Sequence, residues 1–298
     1  MTALLAAGTY RCRNVPRSTA AALDAGVRWI DTAPNYASGT AEAGLRAPLA
    51  DRPEVRVSTK VGFVPRADRQ AALHAGVLPG DGDQEHCLAR GYVAWQLGLS
   101  RSRLGRAPDL VFVHNPECGA TSPSGGYVTL TDVFEELENA AADGRIGGYG
   151  VATWSGLTSG MFTVSELTAL AKAVGGPSHH FRAVQLPVSL VHLAVLADAL
   201  DGRGPLDEAR RAGIDVFASA PLAGGELVGA MTTELGRLID PAVSPTQAAL
   251  LVALSAPGVS QVLLSASSPA HWADALGAAA RERLSGRRLR KVIDVLGT

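Results

Sequence analysis

Four polar residues have the types needed to move a proton to or from an oxygen atom. Asp31, Lys60 and His114 each close a short apolar run (VRWI, VRVST and DLVFV), and Tyr36 lies five residues after Asp31. A tyrosine hydroxyl, with a pKa of about 10, is a weak acid at neutral pH unless a neighbouring cation lowers that pKa. Lys60 can supply the cation, and Asp31 can hold Lys60 in a salt bridge. With His114 orienting a carbonyl, the set can donate a proton to a developing alkoxide or remove one from an alcohol.

Each of these residues, taken alone, also has an ordinary structural interpretation. An aspartate at a strand end often caps the next turn, and a single tyrosine is usually packing. A lysine or histidine at such a place is structural more often than not. All four residues on three successive strands are better explained by chemistry, and the set includes no good nucleophile and no obvious metal triad.

The elements that position these residues alternate between strands and helices. Short apolar runs predict strands at residues 3–7, 29–32, 55–60, 110–114, 146–152, 183–186, 215–218 and 261–264. Helical periodicity predicts helices at residues 18–25, 41–49, 84–99, 131–143, 164–174, 206–212 and 245–256, and a last one from Pro269. Residues 188–200 fit neither pattern clearly. The chain of 298 residues is thus predicted to be one domain, residues 1–298.

Strands that alternate with helices in this way are parallel, joined by crossover connections. An open doubly wound sheet and a closed barrel both satisfy that requirement. The strand count favours the barrel, and no GxGxxG motif opens the first strand–helix unit, as a dinucleotide-binding open sheet would need. The predicted fold class is therefore α/β, a (β/α)8 TIM barrel whose polar strand ends meet at one mouth.

Composition excludes several classes of partner. The formal net charge is −1 and 18% of the residues are charged, so nothing favours binding to nucleic acid or to a membrane surface. No apolar run approaches the roughly 18 residues of a membrane span, and the apolar start MTALLAAGTY lacks a basic leader. Cys12, Cys87 and Cys118 are far apart and odd in number, which fits a reducing compartment. We expect a cytoplasmic protein; its oligomeric state does not follow from composition.

The segments that carry the four residues resemble those of a known family. IDTAPNYASG, with Asp31 and Tyr36, is similar to the signature of the aldo-keto reductases, and STKVG with Lys60 and DLVFVHNPE with His114 resemble that family's next two motifs. Further similar segments, GTY, GRIGGYGVATW, AVQLP and SAPLAGG, extend the resemblance over nearly the whole chain. It implies an oxidoreductase whose catalytic tetrad is Asp31, Tyr36, Lys60 and His114, with Tyr36 as general acid and base.

The resemblance also implies a cofactor, NADP(H) or NAD(H), which these enzymes bind across the barrel mouth without a Rossmann motif. The expected second partner is a small-molecule carbonyl or alcohol substrate. The positions that match cofactor contacts of the family are Gly8, Thr9, Tyr10, Thr153, Gln185, Ser219, Pro221, Leu222, Gly224, Ser265, Ser267 and His271.

Some of these positions depart from the family's usual residues. Ala152 and Thr153 stand where the family usually has Ser-Asn, and Ser219 stands where many members stack an aromatic ring on the nicotinamide. The loop SASSPAHWADA offers His271 as its only possible cation, where NADPH-preferring members place Arg or Lys. The last two departures, at Ser219 and in the SASSPAHWADA loop, resemble the sugar-dehydrogenase branch, which favours NAD. They predict weak discrimination between NADPH and NADH.

Alternatives remain for the function and for the substrate walls. The weakened nicotinamide contacts suit a non-redox proton-transfer enzyme, an isomerase or dehydratase, on the same barrel. A non-catalytic cofactor-binding regulatory subunit is the other alternative. Residues 75–83 and 117–126 are candidate substrate loops or plain surface loops, and Tyr10 and Trp154 are aromatic candidates for the substrate wall. For Trp154, ordinary packing is an equally good interpretation.

Overall fold

The structure is a computed structural model that describes residues 3–78, 84–118 and 123–297, with the backbone alone for residues 123–128. Parallel strands β1 to β8 close into one barrel in sequence order. They span Leu4–Gly8, Trp29–Asp31, Arg56–Val61, Leu110–His114, Tyr149–Ala152, Phe181–Pro187, Asp215–Ser219 and Gln261–Leu264. The predicted (β/α)8 barrel is confirmed.

Helices surround the barrel and follow each strand. In chain order, α1 to α13 span Val15–Asp24, Ala41–Leu49, Arg69–His74, Arg90–Leu104, Pro123–Ala142, Val164–Gly175, Leu193–Leu200, Gly204–Ala212, Glu226–Ala230, Thr233–Ile239, Pro245–Ser255, Pro269–Ala279 and Gly286–Leu296. Local sequence sets several starts. Thr163 with Glu166, and Ser244 with Gln247, form reciprocal capping boxes at the starts of α6 and α11. Among the described residues no helix is long and apolar enough to cross a membrane.

The barrel interior is a small core of its own, distinct from the larger core between strands and helices. Its aromatic centre is Phe217, whose ring lies 5.1 Å from that of Trp29 and 5.4 Å from that of Phe112. Leu110, Leu263 and small residues such as Ala6 and Ala183 fill the rest of this layer. Because side chains alternate along a strand, the next inward-facing residues toward the carboxyl ends sit on top of this apolar plug. That upper layer is polar, and it forms the barrel mouth.

The largest error of the sequence prediction concerns residues 84–99. The helix there begins at Arg90, because the preceding residues pair back onto the segment after β3. The Cys87 N–H donates to the Gly62 carbonyl at 2.7 Å, and the Val64 N–H donates to the Glu85 carbonyl at 2.8 Å. The helix then runs to Leu104 and stops at Gly105, which has a left-handed φ of 74°. A short antiparallel bridge therefore lies beside the mouth where a helical turn was expected.

Other helix and strand boundaries also differ from the predicted ones. Strand β5 begins at Tyr149 rather than residue 146, after two glycines; a Cβ on the first, Gly147, would lie 2.6 Å from the Asp109 carbonyl oxygen. The unclear segment 188–200 contains α7, and the helix from Pro269 ends at Ala279, with α13 following separately. Of the two candidate substrate loops, residues 79–83 and 119–122 lie outside the described residues, and α5 begins at Pro123.

Candidate active site

The mouth of the barrel brings the predicted catalytic residues together on neighbouring strands. Asp31 ends β2, Lys60 lies near the end of β3 and His114 ends β4. The register pairs Gly8 with Asp31, and His114 with Ala152. Tyr36 follows on the loop after β2, and its ring centroid lies 6.0 Å from that of His114. The four residues therefore share one site.

An ion pair lies at the base of this site. The Lys60 ammonium donates to Asp31 Oδ2 at 2.6 Å and to the Thr32 carbonyl at 3.0 Å, and the Lys60 side chain is fully buried. Burial acts to lower the pKa of Lys60, but the charges and hydrogen bonds of Asp31 and Tyr36 together outweigh it, so the pKa is raised. Lys60 is therefore a permanent, fixed cation below the mouth.

Asp31 is held by two further donors that the sequence reasoning did not single out as its partners. Ser58 Oγ donates to Asp31 Oδ1 at 2.7 Å, and Gln185 Nε2 donates to the same oxygen at 3.1 Å. Ser58 itself accepts from Trp29 Nε1 at 3.1 Å. A signal for Ser58 was present: it lies two residues before Lys60, so both point into the barrel. Gln185 lies 154 positions from Asp31 in the sequence, so no local sequence pattern indicated their hydrogen bond.

Tyr36 is presented by a turn with unusual backbone angles. Ala37 and Ser38, which follow it, have φ of 47° and 55°, in the left-handed region that side chains other than glycine rarely adopt. The turn is closed by Thr40, whose hydroxyl donates to the Ala37 carbonyl at 2.7 Å. Such angles persist where the surroundings impose them, and they are concentrated at functional sites.

Lys60 lies directly below the Tyr36 ring, with Nζ 4.8 Å from the ring centroid. Enclosure of the Tyr36 hydroxyl raises its pKa, and the Lys60 charge opposes that shift. The net direction is upward, so the cation offsets part of the cost of burial and does not bring the pKa below its ordinary value. Lys60 therefore favours the phenolate only relative to an equally buried Tyr36 without a neighbouring cation.

His114 is neutral at physiological pH. Burial lowers the pKa of its imidazole well below the ordinary value, and the charges of Lys60 and His86 act in the same direction. Nδ1 is buried without a hydrogen-bond partner among the described residues. The Phe63 ring packs against His114 with centroids 4.7 Å apart, and His86 Nε2 donates to the His114 carbonyl at 2.7 Å. Sequence reasoning missed His86 and Phe63, because the short bridge that brings them here was predicted as helix.

Three of the positions matched to cofactor contacts lie at the end of β1 and on the loop that follows it. Gly8 lies against Ser265, so that a Cβ there would meet Ser265 Oγ at 3.2 Å, and Ser265 Oγ donates to the Gly8 carbonyl at 2.9 Å. The Thr9 hydroxyl is turned inward and donates to Thr32 Oγ1 at 2.8 Å. Tyr10 is 51% exposed, and its ring lies 5.2 Å from that of Tyr36. The exposed Tyr10 ring therefore borders the Tyr36 ring directly.

The loop after β5 is organised by a residue that sequence reasoning did not assign to the site. Glu117 Oε1 accepts from Thr153 Oγ1 at 2.6 Å and from the N–H groups of Trp154, Ser155 and Gly156 at 3.0, 3.0 and 3.3 Å. Thr153 Oγ1 also accepts from the Gly156 N–H at 2.7 Å. The Thr153 hydroxyl, which was predicted to contact the cofactor, thus already donates one hydrogen bond and accepts another within the protein.

The loops after β7 and β8 form the open side of the mouth. Ser219 is half-buried, Pro221 is buried, and Leu222 is half-buried. Gly224 is exposed with φ of 68°, and a Cβ there would lie 2.8 Å from Arg11 Nη1, so this loop reaches the loop after β1. The remaining assigned positions, in the β8 loop and at the start of α12, are exposed: Ser265, Ser267 and His271.

No group of three or more metal-binding side chains occurs among the residues described. The arrangement is instead a neutral imidazole and a phenol above a fixed cation. Side-chain donors that face an oxygen atom bearing developing negative charge can stabilise it, and the phenol can transfer a proton to it.

Comparison with known proteins places this geometry in a family. Residues 11–237 match the model of the aldo/keto reductase family. A D-threo-aldose 1-dehydrogenase from a Pseudomonas species is 32% identical over 142 residues, which are 45% of this chain and 42% of that protein. The match thus spans less than half of that relative's length.

Solved structures share the barrel over nearly the whole chain. A glycerol dehydrogenase from Gluconobacter oxydans superimposes with a TM-score of 0.73 at 20% identity, covering 98% of this chain and 91% of that one. An aldo-keto reductase from Klebsiella pneumoniae, in complex with NADPH, gives a TM-score of 0.67 at 21% identity, covering 98% and 90%. The family resemblance predicted from the motifs is confirmed, and the chain belongs to the aldo/keto reductase family, a family of oxidoreductases.

Proposed function

We propose that this protein transfers hydride between a nicotinamide dinucleotide and a carbonyl or alcohol substrate, with Tyr36 as the general acid and base. The observation that carries the proposal is the buried Lys60–Asp31 pair directly below Tyr36, with a neutral His114 at its side. A cation at that position favours loss of the phenol proton and costs no reorganisation when the reaction occurs.

In reduction, the substrate oxygen gains negative charge and takes the proton from the Tyr36 hydroxyl. His114, being neutral, can donate a hydrogen bond to that oxygen without adding a second cation beside Lys60. Lys60 stabilises the phenolate that remains, and Asp31 keeps Lys60 in place. In alcohol oxidation the same groups act in reverse, so that the Tyr36 phenolate accepts the alcohol proton.

A nicotinamide dinucleotide supplies the hydride acceptor or donor when it is bound. The described residues fit it in part. Gly224 is exposed beside the Arg11 guanidinium, and the N-terminus of α12 at Pro269–Ala279 is suited to an anionic group. Gln185 donates through Nε2 to Asp31, which leaves its carbonyl oxygen to receive a carboxamide N–H. Tyr10 and Ser219 would flank the nicotinamide half, and Ser267 and His271 the adenosine half.

One assigned contact fits less well. The Thr153 hydroxyl already donates to Glu117 and accepts from Gly156, so it has little capacity left for the cofactor. This engagement of the Thr153 hydroxyl within the protein is the observation that favours the second candidate, a non-redox proton transfer. No observation favours the regulatory-subunit alternative, because the tetrad is complete.

For the substrate we propose an aldose or a polyol. A D-threo-aldose 1-dehydrogenase and a glycerol dehydrogenase are among the relatives, and both names describe polyhydroxylated substrates. The test measures reduction of short and long hydroxy-aldehydes with NADH and NADPH, and oxidation of the corresponding alcohols with NAD and NADP. The change in cofactor absorbance reports turnover in both directions. Cofactor-dependent turnover supports the proposal. Isomerisation without cofactor would support the second candidate, and binding without turnover the regulatory one.

A further inference from the structure

The loop after β5 presents an aromatic surface beside the catalytic residues. Trp154 lies two residues beyond Ala152, which pairs with His114 on one side and with Gln185 on the other. Its indole is 58% exposed. The surface therefore stands above the strands that carry His114 and Gln185, and it takes no part in the tetrad.

This exposed side chain sits on a fixed loop. A single carboxylate oxygen, Glu117 Oε1, receives the Thr153 hydroxyl and three successive backbone N–H groups, including that of Trp154. Gly156 closes the turn against Phe162, whose ring a Cβ at this glycine would approach to 2.3 Å. Charge-assisted hydrogen bonds of this kind restrict the backbone strongly. Trp154 is thus held in place before any ligand arrives.

A polar group stands at the edge of the indole. The rings of Trp154 and His192 lie 6.2 Å apart at an angle of 87°. His192 Nδ1 is paired with the buried Ser189 hydroxyl at 2.9 Å, and no other protein partner of this ring is found in the described part of the chain. Burial lowers the pKa of His192, so the ring is neutral at physiological pH. Its Nε2 is left as a single uncharged hydrogen-bonding group.

We propose that Trp154 and His192 form the outer substrate subsite, which takes the hydroxylated carbons distal to the reacting carbon of an aldose or polyol. The proposal rests on the proposed function. An indole face matches the C–H face of such a chain or ring, and a neutral imidazole nitrogen at the edge matches a hydroxyl group. Both groups are uncharged, which suits a neutral, hydroxylated ligand better than an acid. Glu117 is then a positioning residue that holds the subsite through the loop.

Two substrates with the same reacting aldehyde test this subsite. D-glyceraldehyde is too short to occupy it, whereas an aldohexose extends several carbons farther. Trp154→Ala should lower kcat/KM for the aldohexose by about tenfold or more, mainly through KM, while glyceraldehyde changes by less than about threefold. Trp154→Phe, which keeps an aromatic face, should recover most of the loss. An equal loss for both substrates, or none for either, would overturn the proposal.

The positioning role of Glu117 has its own variants. Glu117→Ala should reproduce the aldohexose-specific loss, and Glu117→Gln, which keeps an acceptor oxygen for the same N–H groups, should restore much of it. Circular dichroism checks that each variant is folded, and calorimetry should give unchanged cofactor affinity for Trp154→Ala. A Glu117→Ala variant that discriminates like the wild type would show that the carboxylate does not position the subsite.

A binding measurement separates failure of the subsite from failure of the proposed function. Saturation-transfer NMR with the aldohexose needs no turnover, so it applies even if no substrate is reduced. The signal should be present with the wild type and weaker with Trp154→Ala and with His192→Ala. An unchanged signal in both variants would overturn the subsite, and absent turnover with a Trp154-dependent signal would overturn only the proposed reaction.

Discussion

The two ends of the barrel differ in the backbone conformation of their loops and in the hydrogen bonding of their polar groups. Every non-glycine residue with positive φ in the described chain lies in a loop after a strand: Arg11, Ala37, Ser38, Asn115, Ala220 and Ala223. At the opposite end, Glu138 accepts hydrogen bonds from the Tyr149 hydroxyl at 2.8 Å, the His180 N–H at 2.8 Å and the His180 ring at 2.7 Å. Strained backbone is thus confined to the end with the tetrad, whereas Glu138 at the other end is fully hydrogen-bonded.

This difference separates residues whose loss should affect turnover from those whose loss should affect stability. At the carboxyl end, where a ligand is proposed to bind, the buried His114 Nδ1 has no hydrogen-bond partner among the described residues. At the amino end, each donor to Glu138 already has its acceptor. Variants at the two ends should therefore give opposite patterns of activity and stability.

The largest effect is expected for Tyr36→Phe. This variant removes the proton donor and leaves the ring, so turnover should fall by about 10²–10⁴-fold while cofactor affinity and melting temperature stay near wild type. Steady-state kinetics and a cofactor titration measure both. Retention of more than about a tenth of wild-type activity would mean that another group carries the proton.

Lys60→Met should lower turnover by about 10²-fold or more and also change its pH dependence. Without the cation, the pKa of Tyr36 rises further, because burial and the neighbouring Asp31 and Tyr10 all act to raise it. Alcohol oxidation requires the phenolate, so the acidic limb of its pH–rate profile should move to higher pH. An unchanged profile would show that Lys60 has no electrostatic role.

The folding control for that variant is a double substitution. Lys60→Met alone leaves the Asp31 carboxylate buried without its cation, which costs about 3–5 kcal/mol of stability. Asp31→Asn combined with Lys60→Met removes both charges and should recover part of that loss without recovering activity. Recovery of activity in the double variant would assign the kinetic defect to misfolding.

At the other end, Glu138→Ala should destabilise the protein and leave kcat/KM close to wild type. Removal of the carboxylate leaves the Tyr149 hydroxyl and the His180 N–H without an acceptor, at a cost of about 2–3 kcal/mol. Denaturant unfolding monitors the change. A large loss of activity at unchanged stability would contradict the division between the two ends.

The same residue gives a pH test of stability. Burial acts to raise the pKa of Glu138, but hydrogen bonds from His180 and Tyr149 outweigh it and the pKa is lowered from the ordinary value of 4.5. Because the folded-state pKa is depressed, this stabilisation is present above the unfolded value and is lost as pH falls through the folded one. Glu138→Gln should remove this contribution, so its stability should fall less than that of the wild type on acidification.

The smallest expected effect concerns cofactor choice. Residues 265–275, which span the loop after β8 and the start of α12, include His271 but no Lys or Arg, so dissociation constants for NADPH and NADH should differ by less than about tenfold, or about 1.4 kcal/mol. Equilibrium titration of the enzyme with each reduced cofactor measures the two constants. A preference for NADPH above about a hundredfold would indicate another cation, and Arg11, beside Gly224, is the candidate.

The alternation of apolar runs and helical periods was sufficient to predict all eight strands, and the strand count together with the missing GxGxxG motif favoured the closed barrel that the structure shows. Residues predicted from strand-end motifs, namely Asp31, Lys60 and His114, do meet at the mouth. The periodicity failed at residues 84–89, because a backbone bridge to the segment after β3 overrides local preference there. Glu117 and His86 could not be assigned in advance, since their partners depend on how neighbouring loops cross. Ser58 could have been found from its two-residue spacing to Lys60.

The most direct test of the central claim is transfer of deuterium from the reduced cofactor. Nicotinamide dinucleotide deuterated at the hydride position is mixed with enzyme and aldehyde, and the alcohol product is analysed by mass spectrometry. The proposed function predicts one deuterium on the former carbonyl carbon with wild-type enzyme and none above background with Tyr36→Phe in the same time. Product formed without deuterium, or formed equally by the Tyr36→Phe variant, would contradict hydride transfer with Tyr36 as the proton donor.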